Sequence, residues 1–213
     1  MNIAIFGATG IVGKAIVKEA LQKGHHVTIL TRDAKKFPTG NNHLRIIEGN
    51  VTHRHVIHQV LEKQDAVIQT LGIGGKGDGK PTTFVSDVNR LIMEEMEKMN
   101  IRRLIAISVI GAGDSNRFLP WIYKKLILPV FQRWFIPIIE DKNRMENDIQ
   151  KSHLDWTVIR CTTVQDKPAK NKVNATLDGK GMKFTITAAD MATFFIEQLD
   201  KKQFLKKMPT ISN

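Results

Sequence analysis

The chain opens on a short apolar run, Ile3–Phe6, of the kind expected of a strand buried on both faces of a parallel sheet. An amphipathic run, Ile11–Leu21, follows and reads as a helix. Further apolar runs at His26–Leu30, Leu44–Glu48, Ala66–Leu71, Leu104–Val109 and Trp156–Arg160 read as the second to sixth strands. Pro81-Thr82-Thr83 starts a long helix reaching about Met99, and Glu140–Lys151 is helical. The end of the chain reads as a small hairpin around Asp178-Gly-Lys-Gly181, a helix over Ala188–Leu199 and a last strand near Phe204. These elements predict an α/β fold: a doubly wound parallel sheet of order 3-2-1-4-5-6 with a short seventh strand, flanked by helices.

One stretch breaks the pattern. From residue 113 to 139 the aromatic side chains Phe118, Trp121, Tyr123, Phe131, Trp134 and Phe135 crowd together with Arg117, Lys124, Lys125 and Arg133. Pro120, Pro129 and Pro137 divide it, which predicts short helices rather than one. The stretch is read as a helical insertion packed on the domain; a substrate lid, or a dimer or membrane-surface contact, are the other readings.

Length and charge refine this picture. A chain of 213 residues can form one domain, residues 1–213, with no linker and no internal repeat. Nothing at the start resembles a signal peptide, and the most apolar stretch, Leu126–Ile139, is interrupted and too short to span a bilayer. A single cysteine, Cys161, excludes an intrachain disulfide and fits a reducing compartment, so a cytoplasmic location is expected. The net charge of +11 comes from scattered lysines without a recognition motif. No nucleic-acid partner is expected; a basic surface that draws in a polyanionic cofactor explains the charge better.

The candidate chemistry starts at Gly7, Gly10 and Gly13, which punctuate the passage from first strand to first helix. In a strand–turn–helix that holds a pyrophosphate, Gly7 permits the tight turn, Gly10 lets the backbone approach the phosphates, and Gly13 lets the helix pack close. The anion then meets unpaired N–H groups at the positive end of the helix. After the second strand Arg32 stands where an acidic residue would accept the ribose hydroxyls of NAD, with Lys35 and Lys36 beyond. A guanidinium opposite a 2′-phosphate favours NADP(H) as cofactor, and Asp33 keeps NAD(H) as the minority reading. The loop Gly72–Lys80, rich in glycine, is read as a mobile flap over bound cofactor or a plain connection. His53, His55 and His58 do not share one helix face, and no metal is expected. Cys161 is read as a small buried residue, since no histidine is placed to activate it.

Several stretches together resemble the atypical short-chain dehydrogenases with an NAD(P)-binding Rossmann fold. They are Ile3-Ala-Ile-Phe-Gly-Ala-Thr-Gly10, Thr31-Arg-Asp33, Gln64-Asp-Ala-Val-Ile68 with Leu71-Gly72, Asp155-Trp-Thr-Val-Ile-Arg160 and Thr176-Leu-Asp-Gly-Lys-Gly181. Within these the chain is most similar to the NADPH-dependent flavin reductases, also called biliverdin IXβ reductases, and their bacterial relatives. The resemblance implies that Gly7, Thr9, Gly10, Ile11, Val12 and Gly13 carry the pyrophosphate and adjacent ribose, and Arg32 with Lys36 the 2′-phosphate. It implies that Asn50 and Val51 flank the adenine and that Leu71 and Gly72 lie along the ribose. Ser108 would stand near the nicotinamide end. Lys142 falls where many atypical short-chain dehydrogenases place the lysine of a Tyr-x-x-x-Lys pair, a position the flavin reductases fill with histidine. It would either bind the nicotinamide ribose or donate a proton, and it and Ser108 are the catalytic candidates.

The departure from the family is the tyrosine, because position 138 is isoleucine. Alcohol or ketone chemistry needs a group that moves the hydroxyl proton, worth about 10²–10⁴-fold. Flavin reduction does not, since water can supply the second proton. The expectation is an NADPH-dependent reductase acting on a flavin or similar planar aromatic acceptor, with flavin as substrate. The alternative is a non-catalytic NADP(H)-sensing regulator of the nitrogen-metabolite-repression type; a sugar- or isomer-modifying enzyme is disfavoured by Ile138. Either a monomer or a homodimer is compatible with the sequence.

Overall fold

Apolar runs without alternating polar positions must be covered on both faces, and here they pair side by side as parallel strands. The computed structural model describes residues 1–37, 40–73 and 77–213, and at Phe131 the backbone alone. Six strands are β1 (Asn2–Phe6), β2 (His26–Thr31), β3 (Leu44–Glu48), β4 (Ala66–Gln69), β5 (Arg103–Val109) and β6 (Asp155–Cys161). They lie in the expected order, β3-β2-β1-β4-β5-β6, every neighbouring pair parallel. The helices between them are α1 (Ile11–Gln22), α2 (Arg54–Leu61), α3 (Phe84–Lys98) and α4 (Ile136–Lys151). After β6 come β7 (Thr163–Gln165), β8 (Asn174–Thr176), β9 (Thr185–Thr187), α5 (Ala188–Glu197) and β10 (Thr210–Ser212).

The sheet divides the core in two. Ile3, Ile5, Ile29, Ile68, Ile105 and Ile159 face α1 and α5, where Ile16, Ala20, Met191 and Phe195 cover them. On the other face Ala4, Phe6, Val67, Leu104, Ala106 and Val158 meet Ile57 of α2, Ile92 and Met96 of α3 and Met145 and Ile149 of α4.

Four local expectations are corrected. Helix α4 begins at Ile136, four residues before Glu140, because Pro137 sits in its first turn, where a missing N–H leaves no bond unmade. The hairpin around Asp178–Gly181 does not form: β8 pairs antiparallel with β10, while β9 pairs parallel with β7 in a separate two-stranded sheet. The last strand is Thr210–Ser212, and Phe204 is instead buried in the preceding turn against the ring of Phe194. With β10 and β8 added beyond β6, the main sheet has eight strands among the described residues. In the insertion Pro120 and Pro137 mark breaks, but Pro129 lies inside a π-helix, Tyr123–Phe131, flanked by 3-10 turns at Gly113–Phe118 and Arg133–Phe135.

The edge of β6 is tied to α4 by a buried ion pair. Arg160 donates from Nε to Glu146 Oε1 at 3.0 Å and from a terminal nitrogen to Oε2 at 2.7 Å, and both side chains are almost wholly buried. Its other terminal nitrogen reaches Asp114. Arg160→Met leaves the Glu146 carboxylate buried with its principal partner gone, and should destabilise the chain by about 3–5 kcal/mol in urea unfolding. The double variant Arg160→Met/Glu146→Leu should recover most of that loss; recovery of none would show that the carboxylate is not the source of the cost.

Candidate cofactor cradle and the polar tier beneath it

At the turn from β1 into α1 the backbone is crowded in a way only glycine permits. Gly7 has φ +86°, and a Cβ there would stand 2.7 Å from the Thr70 backbone at the end of β4. A Cβ on Gly13 would fall 2.1 Å from the Gly7 carbonyl oxygen. Gly10 caps α1 in extended conformation and donates its N–H to Gly7 O at 3.2 Å, and a Cβ there would meet only that oxygen, at an ordinary 3.6 Å. The first turn of α1 contains no acidic residue. Its free N–H groups therefore face outward at the point where the strand order reverses between β1 and β4, the crevice in which open α/β sheets bind ligands. These residues fit a dinucleotide pyrophosphate. Thr9 and Ile11 are exposed at this turn, and Val12 is half-buried behind it.

Beyond β2 the choice between Arg32 and Asp33 is visible. The Asp33 carboxylate accepts from Lys35 N at 3.1 Å and caps the 3-10 turn Ala34–Lys36. The Asp33 N–H and carbonyl are held by the Thr31 hydroxyl. Arg32 and Lys36 are exposed and, among the described residues, make no ion pair. After β3, Asn50 accepts from Thr52 N at 3.0 Å, so its side-chain oxygen shapes the turn before α2, with Val51 half-buried beside it.

Toward the C-terminal ends of β4, β5 and β6 the face that meets α3 and α4 changes from apolar to polar. Gln69, Ser108 and Arg160 follow Val67, Ala106 and Val158 in the pleat and are all buried. Gln69 donates to Asn89 Oδ1 of α3 at 3.3 Å and accepts from Leu71 N at 3.2 Å. Ser108 Oγ and Asn89 Nδ2 are buried without a hydrogen-bond partner among the described residues. Lys142, only 3% exposed, donates to the carbonyls of Leu71 at 3.0 Å and Ile107 at 2.9 Å. The structure thus brings Leu71, Ser108 and Lys142 together, but the ammonium is engaged with backbone rather than standing free in the crevice. Burial holds its pKa down to about 8, against the opposing pull of Cys161, Asp141 and Glu146. Cys161 is buried, donates to Ser108 O at 3.2 Å, and is pushed up to about 11 by desolvation.

Gln69, Asn89 and Asp141 escape a reading of the sequence. Asp141, almost fully buried, accepts from Val85 N at 2.8 Å and Ser86 N at 3.1 Å and so fixes the start of α3 from α4. The hint available was their polarity at positions whose strand or helix period called for apolar side chains. Of the predicted flap, Gly74, Gly75 and Lys76 lie outside the described residues. The part that follows leans on the insertion: Cβ atoms on Gly77 and Gly79 would come within 3.3 Å of Trp134 O and 3.7 Å of Trp134 Cα. Ile138 forms an apolar corner with Ile73 there, and Gly72 is exposed at the loop's start. The chain's one tyrosine, Tyr123, gives its hydroxyl to Gln132 within the insertion. His58 pairs with Glu95 at 3.1 Å, whereas His53 and His55 stack on each other.

A glycine cradle opening a helix at the switch point of a parallel sheet defines an NAD(P)-binding Rossmann domain. The chain belongs to the NAD(P)H-binding family, which it matches over residues 7–202. It is 24% identical to the uncharacterized protein YwnB of Bacillus subtilis, over 99% of this chain and 98% of that one. It is also 24% identical to the photosystem II assembly factor Ycf39 of Synechocystis, but there spans 44% of the relative's length. Among solved structures, the anaerobillin reductase ChuY of Escherichia coli O157:H7 superposes with a TM-score of 0.81 at 22% identity, covering 100% of this chain and 97% of that one. A short-chain dehydrogenase/reductase of Veillonella parvula in complex with NADP gives 0.81 at 18% identity, covering 100% and 94%. These likenesses establish a shared fold.

The buried ammonium makes a pH-dependent contribution whose sign is fixed. Below about pH 8 Lys142 is charged in folded and unfolded chains alike, and the burial penalty is present in full. Between about 8 and its ordinary 10.5 the folded chain binds fewer protons than the unfolded one, so stability rises with pH. Relative to Lys142→Met, the unaltered chain should gain about 3 kcal/mol across that window in urea unfolding. A difference that stays flat with pH would show that the ammonium is not desolvated.

Proposed function

We propose that the protein is an NADPH-dependent reductase of the flavin-reductase type, serving a loosely held planar acceptor such as FMN or riboflavin. The observation that carries this reading is a glycine turn shaped for a pyrophosphate in a chain whose residue one turn before Lys142, Ile138, is apolar. When bound, NADPH would supply a hydride, which an isoalloxazine takes at a ring nitrogen while water provides the one proton that completes the reduction. The chain's work is then to hold nucleotide and acceptor at near-attack distance. Gly7, Thr9, Gly10, Ile11, Val12 and Gly13 hold the pyrophosphate and ribose, and the free cations Arg32 and Lys36 take the 2′-phosphate. Asn50 and Val51 flank the adenine, and Leu71 and Gly72 line the ribose.

Lys142 acts in this reading as a positioning residue: it fixes Leu71 and lends a positive field to a site where negative charge builds on the acceptor. The unpartnered hydroxyl of Ser108 is free to turn toward the nicotinamide end. Support for NADP(H) over NAD(H) comes from Arg32 standing unpaired while Asp33 is engaged in its own turn. The corner formed by Ile73 and Ile138 offers a flat ring an apolar wall and no proton.

One observation favours a second reading. Lys142 is bonded to two carbonyls and no phenol stands beside it, as befits an NADP(H) sensor without turnover. Steady-state oxidation of NADPH with and without FMN separates the two. Turnover that rises with FMN supports the reductase; tight NADPH retention with no oxidation by any flavin or quinone selects the sensor. Arg32→Asp should weaken NADPH binding roughly 10- to 100-fold, the worth of a charge-assisted hydrogen bond, and NADH binding much less. Equal losses in a fluorescence titration would remove Arg32 from the 2′-phosphate.

A further inference from the structure

From Ser115 to Ile139 the chain carries Arg117, Lys124, Lys125 and Arg133 and no acidic residue. Within this stretch the helical segment that includes the π-helix exposes residues in pairs: Trp121 with Ile122, Lys125 with Leu126, and Pro129 with Val130. Pairs repeating every four residues on a helix of this pitch share one face. Trp121 is 71% exposed, Val130 60%, Ile122 55% and Leu126 48%, an apolar stripe left uncovered by the described residues. Among the described residues Lys124, Lys125 and Arg133 make no ion pair, whereas Arg117 is matched by Asp114 at 3.4 Å.

We propose that this face is an interfacial helix that seats the protein on an anionic membrane surface. An exposed indole and a row of aliphatic side chains with the unpaired Lys125 among them, and Lys124 and Arg133 close by in the chain, match the boundary between acyl chains and acidic headgroups. Charge decides against the obvious competitor: a second copy would set this cationic face against itself in a chain of net charge +11. The contact is superficial, since among the described residues no helix is long and apolar enough to cross a membrane. The segment follows β5 and touches the Gly77–Gly79 stretch through Trp134, so it lies at the edge of the sheet that carries the cradle.

Cosedimentation of the full chain with vesicles of phosphatidylcholine, with and without about one third phosphatidylglycerol, tests this. Binding should appear only on the anionic vesicles, weaken with salt, and shift tryptophan emission to the blue. Trp121→Ser/Leu126→Ser should reduce partitioning roughly tenfold or more, and Lys124→Gln/Lys125→Gln roughly 20-fold. Both variants should keep the NADPH affinity and urea midpoint of the unaltered chain. No binding, equal binding to neutral vesicles, or variants that bind as well as the parent would overturn the proposal. So would a concentration-dependent dimer abolished by Trp121→Ser/Leu126→Ser, which would assign the face to a second copy. Should those substitutions unfold the chain, the emission shift and salt dependence of the unaltered protein still decide.

Discussion

Everything at the C-terminal edge of the sheet depends on how closely α1 approaches the end of β1. With 2.1 Å between a notional Cβ on Gly13 and the Gly7 carbonyl, no side chain can enter, and the helix axis is brought down onto the strand. Gly7 in turn lies against the backbone of Thr70, whose hydroxyl donates to Phe6 O at 3.0 Å. The two central strands are thereby clasped at the point where their connections diverge. That single crowded contact aims the helix N–H groups into the crevice and leaves room for an anion, but for no residue of the chain itself.

A second constraint comes from α4, whose residues 141, 142, 145 and 146 form one buried face with a different partner for each polar member. Asp141 caps α3, Lys142 joins the ends of β4 and β5, and Glu146 holds Arg160 of β6. A buried hydroxyl or amide left unpaired costs about 1–3 kcal/mol, and this tier contains two, on Ser108 and Asn89. The molecule tolerates that cost just below the crevice, which is where an incoming ligand has most need of free polar atoms. Met145 packs among them and contributes its sulfur to Gln69, so the tier grades into the hydrophobic core without a gap.

The sheet was legible because its rules are local. Runs such as Ile3–Phe6 and Leu104–Ile107 are apolar throughout, so strand identity and parallel pairing follow from one window of sequence. The glycine cradle was legible for the same reason, all its parts lying within seven residues. The later elements were not. Strands β7 to β10 have three residues each, too few for a period to show, and they pair with partners far along the chain. Pro129 misled because the rule against proline in helices assumes α-helical bonding; here Gln132 N bonds to Ile127 O, five residues back, and the π-turn accommodates the ring. Lys142 was found through the family resemblance, yet its partners, two carbonyls at the ends of β4 and β5, could come only from the fold.

Placement matters more than the overall charge. On the cradle edge three positive features converge: the free end of α1, the exposed Arg32, and Lys142, which with a pKa of about 8 is mostly charged at neutral pH. The acidic groups beside Lys142 and Arg32 are already spent, Asp141 on helix N–H groups, Glu146 on Arg160 and Asp33 on its own turn. An edge of this kind stabilises a polyanionic nucleotide, and under the reductase reading it also stabilises an acceptor that becomes more negative as it is reduced. Oxidation of an alcohol would draw no comparable benefit, because its difficulty is the hydroxyl proton, and Ile138 can neither take nor give one. Phenol and field are answers to different chemistry, and position 138 offers no phenol.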